Sequence, residues 1–279
     1  MQIKIHFVSK VADIVQHLSQ TVASPSVLNI KSFIDALPAP FTDRSVEHDS
    51  HEFIILVRDY IDQVQLYYNK TFPMIVASIT QPAAPLPYLG SFNQTCVCSR
   101  CRNSTVVFKA EFEELSVHMQ EGSSLQALLN ISCITPVEKK CETCSPDSDV
   151  SMTKTTSIVG IPDMLIINFN RFVNAGTSKI LDLITCERCL QFYLIDGSIA
   201  TYTHVATISH AGKTRQSGHY VSYSRRVSTS KPTEVGYYRA SDAHIENCQD
   251  KAIFENAALT GNGVQNETPY VLVYERTPS

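Results

Sequence analysis

The chain has no tryptophan in its 279 residues, and it also lacks long apolar runs and clustered basic side chains. Unbroken apolar segments such as Met164 to Ile167 fall far short of the ~20 residues that a membrane-spanning helix needs, so no membrane partner is expected. Lysine and arginine number 23 against 27 aspartates and glutamates, a net charge of −4. Binding to phosphate backbones needs concentrated positive charge, so no nucleic-acid partner is expected either. The opening Met1-Gln2-Ile3-Lys4-Ile5-His6 does not run from charged to apolar as a secretory leader does. An intracellular, reducing setting, cytoplasm or nucleus, is therefore expected. What the chain does have is 43% apolar residues, enough for a large core in one domain or two intergrown lobes.

Nine cysteines in such a setting point to metal ligation or thiol chemistry rather than a disulfide frame, and an odd number cannot all pair. Cys98-x-x-Cys101 and Cys141-x-x-Cys144 have the spacing that lets both sulfurs of a tight turn reach one ion. Two such knuckles make one tetrahedral zinc site, and the strand-like sequence between them suggests that the metal ties the tips of a thin β-ribbon. Reduced buried thiols, or two disulfides in an oxidising setting, are the alternatives. Cys96 and Cys133 lack the paired spacing and read as bystanders. Cys186-x-x-Cys189 is a lone pair, compatible with a second metal contribution or a redox couple but read first as half-buried and structural, and Cys248 has no reactive context.

Apolar residues at helical spacing mark the first 70 positions. Val11, Ile14, Val15 and Leu18 form one stripe, and a second helix is expected from an N-cap at Ser24 with Pro25 at its first position, running until Pro38. Asp49 and Glu52 have capping-box spacing ahead of Phe53, Leu56, Val57, Tyr60, Ile61 and Val64. Beyond the prolines at 82, 85 and 87 the pattern turns to short alternating segments, and Met164-Leu165-Ile166-Ile167 reads as a central strand buried on both faces. Helices first and strands afterwards give an α+β fold. His48 and His51 read as a solvated helix start, His204 and His210 as strand residues without partners, and Glu113 and Glu114 as charges on an exposed ribbon.

Several segments, in order, resemble the ubiquitin-specific protease family of deubiquitinases. His48-Asp49-Ser50-His51-Glu52-Phe53 is similar to the family's Gln-Asp-Ala-x-Glu-Phe helix start, and the two cysteine pairs are similar to the zinc ligands of its fingers. Pro162 to Phe172 resembles its central strand ending in Arg-Phe, Ser217-Gly218-His219-Tyr220-Val221 its His box, and Tyr270 to Tyr274 its closing strand. The resemblance implies a papain-like cysteine protease superfold within 1–279. Its parts would be a partial helical thumb at about 1–80, zinc-binding β-ribbon fingers at 90–160 and a β-rich palm at 161–279.

It also implies a structural Zn2+ on Cys98, Cys101, Cys141 and Cys144, ubiquitin or a ubiquitinated protein as partner, and His219 as general base of thiol-dependent isopeptide hydrolysis. The positions of the orienting group hold Ser241 and Asp242. Serine is short and a weak acceptor, so Asp242 is expected to take over. The family's Gly-Asn-Thr-Cys-Tyr-x-Asn box, which carries the nucleophile, does not occur in these residues, and no other cysteine has its context. The expectation is a deubiquitinase-type domain that begins beyond that box, lacks the nucleophilic Cys and is inactive alone. The alternatives are a non-catalytic ubiquitin-binding or scaffolding pseudo-protease and, from another class, a zinc ribbon that binds nucleic acid.

Overall fold

The computed structural model describes residues 1–19, 30–43, 45–74, 86–120, 122–182, 184–227, 235–248 and 267–278, and it divides the chain into two compact units, Met1–Ala84 and Pro85–Ser279. Among the described residues no helix is long and apolar enough to cross a membrane.

The first unit is helical because its apolar residues recur every three or four positions. Helix α1 (Gln2–Ser19) starts well before the expected stripe, and α2 is short, Lys31–Asp35. The expected N-cap Ser24 and Pro25 lie outside the described residues. Helix α3 (Ser50–Thr71) begins where the capping spacing put it: the Asp49 carboxylate accepts from the N–H groups of His51 and Glu52, satisfying two donors that a helix start leaves unpaired. An aromatic cluster joins the three helices. Phe7 meets Phe33 at 5.7 Å and Tyr60 edge-on at 5.6 Å, while Phe53 meets Phe41 at 5.2 Å.

The second unit is built on two large sheets and one short two-stranded one. A four-stranded antiparallel sheet has the order β2-β1-β5-β4, from β1 (Gly90–Cys98), β2 (Ser104–Phe112), β4 (Ile134–Cys141) and the long β5 (Ser145–Gly160). The larger sheet runs β13 (His244–Cys248), β12 (Val235–Ser241), β11 (His219–Val227), β10 (Ile199–Ala211), β14 (Thr268–Arg276), β6 (Met164–Asn170), β3 (Leu115–His118), with β9 (Cys189–Tyr193) pairing to β10 off this path; β7 (Phe172–Val173) and β8 (Ser178–Lys179) pair separately. At its centre β6 and β14 are buried along most of their length, whereas β10 mostly alternates buried and half-buried residues. Leu165, Ile167, Phe169, Tyr202, Leu272 and Tyr274 belong to its core. The expected buried strand at 164–167 is β6.

One helix was not foreseen. The stretch between the cysteine pairs read as strand-like, yet it contains α4 (Leu125–Ser132), whose N-cap Ser124 accepts from the N–H of Ala127. Leu125, Leu128 and Leu129 point from one face of α4 into the core of the larger sheet. Just before it, β3 (Leu115–His118) runs parallel to β6, so β3 joins the larger sheet rather than the ribbon, and α4 packs its leucines on that sheet's core. Glu113 and Glu114, at the bend between β2 and β3, are half-buried rather than exposed.

Candidate active site and metal centre

Each knuckle sits on a hairpin at one end of the four-stranded sheet. Cys98 closes β1 and Cys101 lies in the turn to β2; Cys141 closes β4 and Cys144 immediately precedes β5. The turn at 98–103 is tied by bonds from Cys98 N–H to Asn103 carbonyl and from Arg102 N–H to Cys98 carbonyl, both 3.0 Å. All four sulfurs lie within 4.8 Å of one another, and the close pairs cross between knuckles: Cys98 with Cys144 at 3.7 Å, Cys101 with Cys141 at 3.6 Å. A tetrahedron with Zn–S bonds of ~2.3 Å has edges of about 3.8 Å, so one zinc ion fits this set.

Electrostatics of the sulfurs agree. Backbone N–H groups of Cys101 and Arg100 aim at the Cys98 sulfur and hold its pKa below the usual thiol value. Those of Cys144 and Thr143 bring Cys141 down to about 6. Desolvation, and then the other three sulfurs, push Cys144 up to about 12, so the fourth thiol resists ionising until a cation neutralises the cluster. Cys96 is a buried neighbour in the small core with Val150 and Met152. Among the described residues no other group of metal-ligating side chains comes this close together, and the pair at 186 and 189 stays apart in character. Cys186 is buried in the core of the larger sheet with its thiol pushed up to about 12 by that burial, whereas Cys189 is exposed at the start of β9.

The imidazole of His219 stands at the first residue of β11 (His219–Val227), which pairs with β12 (Val235–Ser241); β13 (His244–Cys248) folds back on β12. His219 Nε2 lies 2.8 Å from Ser241 Oγ and 3.9 Å from Asp242 Oδ2. Sequence reasoning had given the orienting contact to Asp242; the hydrogen bond is made by Ser241. The reason is backbone direction: Ser241 ends a strand beside β11, while Asp242 takes a positive φ of 51° in the turn and leaves its carboxylate 85% exposed. Nε2 is thus engaged. Nδ1 has no hydrogen bond among the described residues, and the ring is 41% exposed, open enough for a reacting group to approach.

Two histidines expected to lack partners have them. His204 is fully buried, its Nε2 2.7 Å from Thr207 Oγ1 and its ring against Tyr237, and desolvation holds its pKa down at about 3. Tyr237 therefore fills an interior position at the heart of β12. His210 is 1% exposed and is met by Lys179. The signal for His210 was present as two glycines nearby, Gly212 and Gly218. Nor is His48 merely solvated: its Nε2 lies 2.8 Å from the Asp43 carbonyl and its ring 4.9 Å from Phe41.

The cysteines are placed away from His219. Cys248 pairs with Tyr237, four residues along β12 from Ser241, a separation of about 13 Å at strand rise. Cys189 pairs with Thr203, eight residues along β10 from Ala211, which is opposite His219. Six others belong to the ribbon and its approaches, and Cys186 is enclosed in the core.

The family model described as ubiquitin carboxyl-terminal hydrolase matches residues 2–274. The chain belongs to the ubiquitin carboxyl-terminal hydrolase family. One relative, named "Probable ubiquitin carboxyl-terminal hydrolase 16" in Schizosaccharomyces pombe, is 27% identical over 258 residues, covering 88% of this chain and 51% of its own. Ubiquitin carboxyl-terminal hydrolase 26 of Arabidopsis thaliana is 23% identical over 256 residues, covering 85% of this chain and 23% of its own. This hydrolase-family chain thus spans about half or less of these relatives. Among solved structures, the SAGA DUB module of Ubp8, Sgf11, Sus1 and Sgf73 bound to monoubiquitin matches with a TM-score of 0.70 at 19% identity. That match covers 98% of this chain and 59% of the other, a likeness of fold.

Proposed function

We propose that this chain provides the fingers and palm of a thiol-dependent deubiquitinase: it holds ubiquitin, presents His219 as the base, and carries no nucleophile within these 279 residues. Met1–Ala84 is the thumb portion, the ribbon ending at the four cysteines forms the fingers, and the larger sheet is the palm. Nine cysteines in the sequence, four of them gathered at one metal-binding cluster, suit a reducing compartment, cytoplasm or nucleus.

The observation that carries this reading is the engagement of His219 Nε2 by Ser241 at 2.8 Å, which leaves Nδ1 as the nitrogen for proton transfer. When Nε2–H donates to the serine oxygen, Nδ1 keeps its lone pair, can take the proton of an attacking thiol and can later give it to the departing lysine amine. A serine hydroxyl can also donate to Nε2, so it tolerates both tautomers where a carboxylate accepts only the productive one. The Asp242 carboxylate at 3.9 Å tips the balance toward Nε2–H, weakly because it is exposed. The zinc would act structurally, fixing the ribbon tip, and has no part in proton transfer.

The test is incubation of the purified chain with ubiquitin bearing a thiol-reactive C-terminus. The expected result is reversible association with ubiquitin and no covalent adduct. An adduct on any of the nine cysteines overturns the missing nucleophile, and failure to associate overturns the ubiquitin reading.

A further inference from the structure

Strand pairing between β10 and β11 runs to His210 opposite Tyr220 and Ala211 opposite His219, and residues 212–218 connect them. The ring of His210 occupies the space at the root of this connection. A Cβ built on Gly218 would lie 2.3 Å from His210 Nε2 and 2.5 Å from the Ala211 carbonyl oxygen. One built on Gly212, whose φ is 153°, would lie 2.9 Å from His210 Cε1 and 2.6 Å from the Ser217 carbonyl oxygen. A side chain at Gly218 would therefore collide first with the imidazole, while one at Gly212, whose φ already favours glycine, would collide first with the Ser217 carbonyl and then with the imidazole. Gly218 is the residue directly before His219.

The ring is fixed from its other side. Lys179, in β8 (Ser178–Lys179), donates to the His210 carbonyl at 2.5 Å and lies 3.2 Å from Nδ1. Phe172 and Tyr220 enclose the ring at 5.4 and 4.9 Å between centroids. With Lys179 as donor, Nδ1 accepts and the ring proton sits on Nε2, facing the backbone of the 212–218 segment. Burial, and then the Arg171 guanidinium, bring Lys179 down to about 7 against the pull of Glu267, so the amine can serve without a full charge beside the loop.

We propose that His210 is a positioning residue for His219: its lysine-held imidazole is the template on which the backbone of Gly218 rests, and it thereby sets the pose of the base against Ser241. This rests on the reading of His219 as base, but the geometry it predicts can be measured without activity.

The test is NMR of the His219 ring, its tautomer and its pH titration, in the intact chain and in His210→Ala and Lys179→Met, with a thermal melt of each. Both variants should change the Nε2–H population and move the titration midpoint by at least about 0.3 pH unit, a twofold change in proton affinity. A folded His210→Ala chain with an unchanged His219 tautomer and midpoint overturns the proposal. If His210→Ala does not fold, Lys179→Met decides alone, because it keeps the ring and removes its donor, and an unchanged His219 signal there overturns it equally. Because the readout is the ring itself, a failed ubiquitin assay leaves this result standing, and the reverse also holds.

Discussion

The ribbon tip buries little beyond Cys96, Cys98, Cys141, Val150 and Met152, whereas the larger sheet closes over Leu165, Ile167, Phe169, Leu190, Tyr202, Leu272, Tyr274 and the leucines of α4. Apolar burial contributes in proportion to area, so the larger sheet holds itself together while the ribbon relies on a tetrahedral metal to close its two hairpins. The same contrast governs chemistry. At the ribbon tip four side chains converge on one point, suited only to binding; in the larger sheet one imidazole is exposed at a strand end and takes its pose from its neighbours.

Taking away the metal should break the comparison most strongly. Chelation, or Cys141→Ser, is expected to cost the ribbon several kcal/mol of local stability, read as fast amide exchange at β4 and in the first half of β5, while β6 and β14 stay protected. Uniform loss of protection across both sheets would show that the palm, too, depends on the ion. Leu272→Ala, at a fully buried site in β14, reverses the experiment. It should lower global stability by about 3 kcal/mol in denaturant titrations and leave zinc content unchanged.

Acid should act on the palm first. His204 has its pKa held at about 3 against an ordinary 6.5, so the unfolded chain takes up the proton before the folded one does. Its contribution is complete above about pH 6.5 and is lost steadily as pH falls toward 3, reaching about 2 kcal/mol by pH 5. The melting temperature should fall over that window, and His204→Asn should flatten the slope. The smallest effect separates the two candidates for orienting His219. Ser241→Ala should change the ring's tautomer balance, whereas Asp242→Asn should shift its midpoint by no more than a few tenths of a unit, since that carboxylate is solvated. NMR titration of the ring measures both, and the reverse order would restore Asp242 as the main partner.

Much of this was legible in the chain wherever cause and consequence are close in sequence. Asp49 caps α3 because its partners are two and three residues away, the cysteine pairs declare themselves by spacing, and the apolar run at 164–167 marks a strand that is interior from Leu165 onward. What escaped depends on residues far apart in sequence. His204, besides its near neighbour Thr207, takes Tyr237 of β12 as its second partner, and His210 is met by Lys179 on another strand. The choice of Ser241 over Asp242 turned on a backbone angle, and the length of the side chain misled. Helix α4 was hidden because eight residues with three leucines look much like a strand in a region already read as ribbon.

The central claim is a metal-tied grip on ubiquitin joined to a base that has no sulfur of its own. Native mass spectrometry of the chain mixed with thiol-reactive ubiquitin tests it most directly. The account requires one zinc and one ubiquitin per chain, with the ubiquitin released intact on denaturation. A chain free of zinc, or a ubiquitin adduct that survives denaturation, would contradict it.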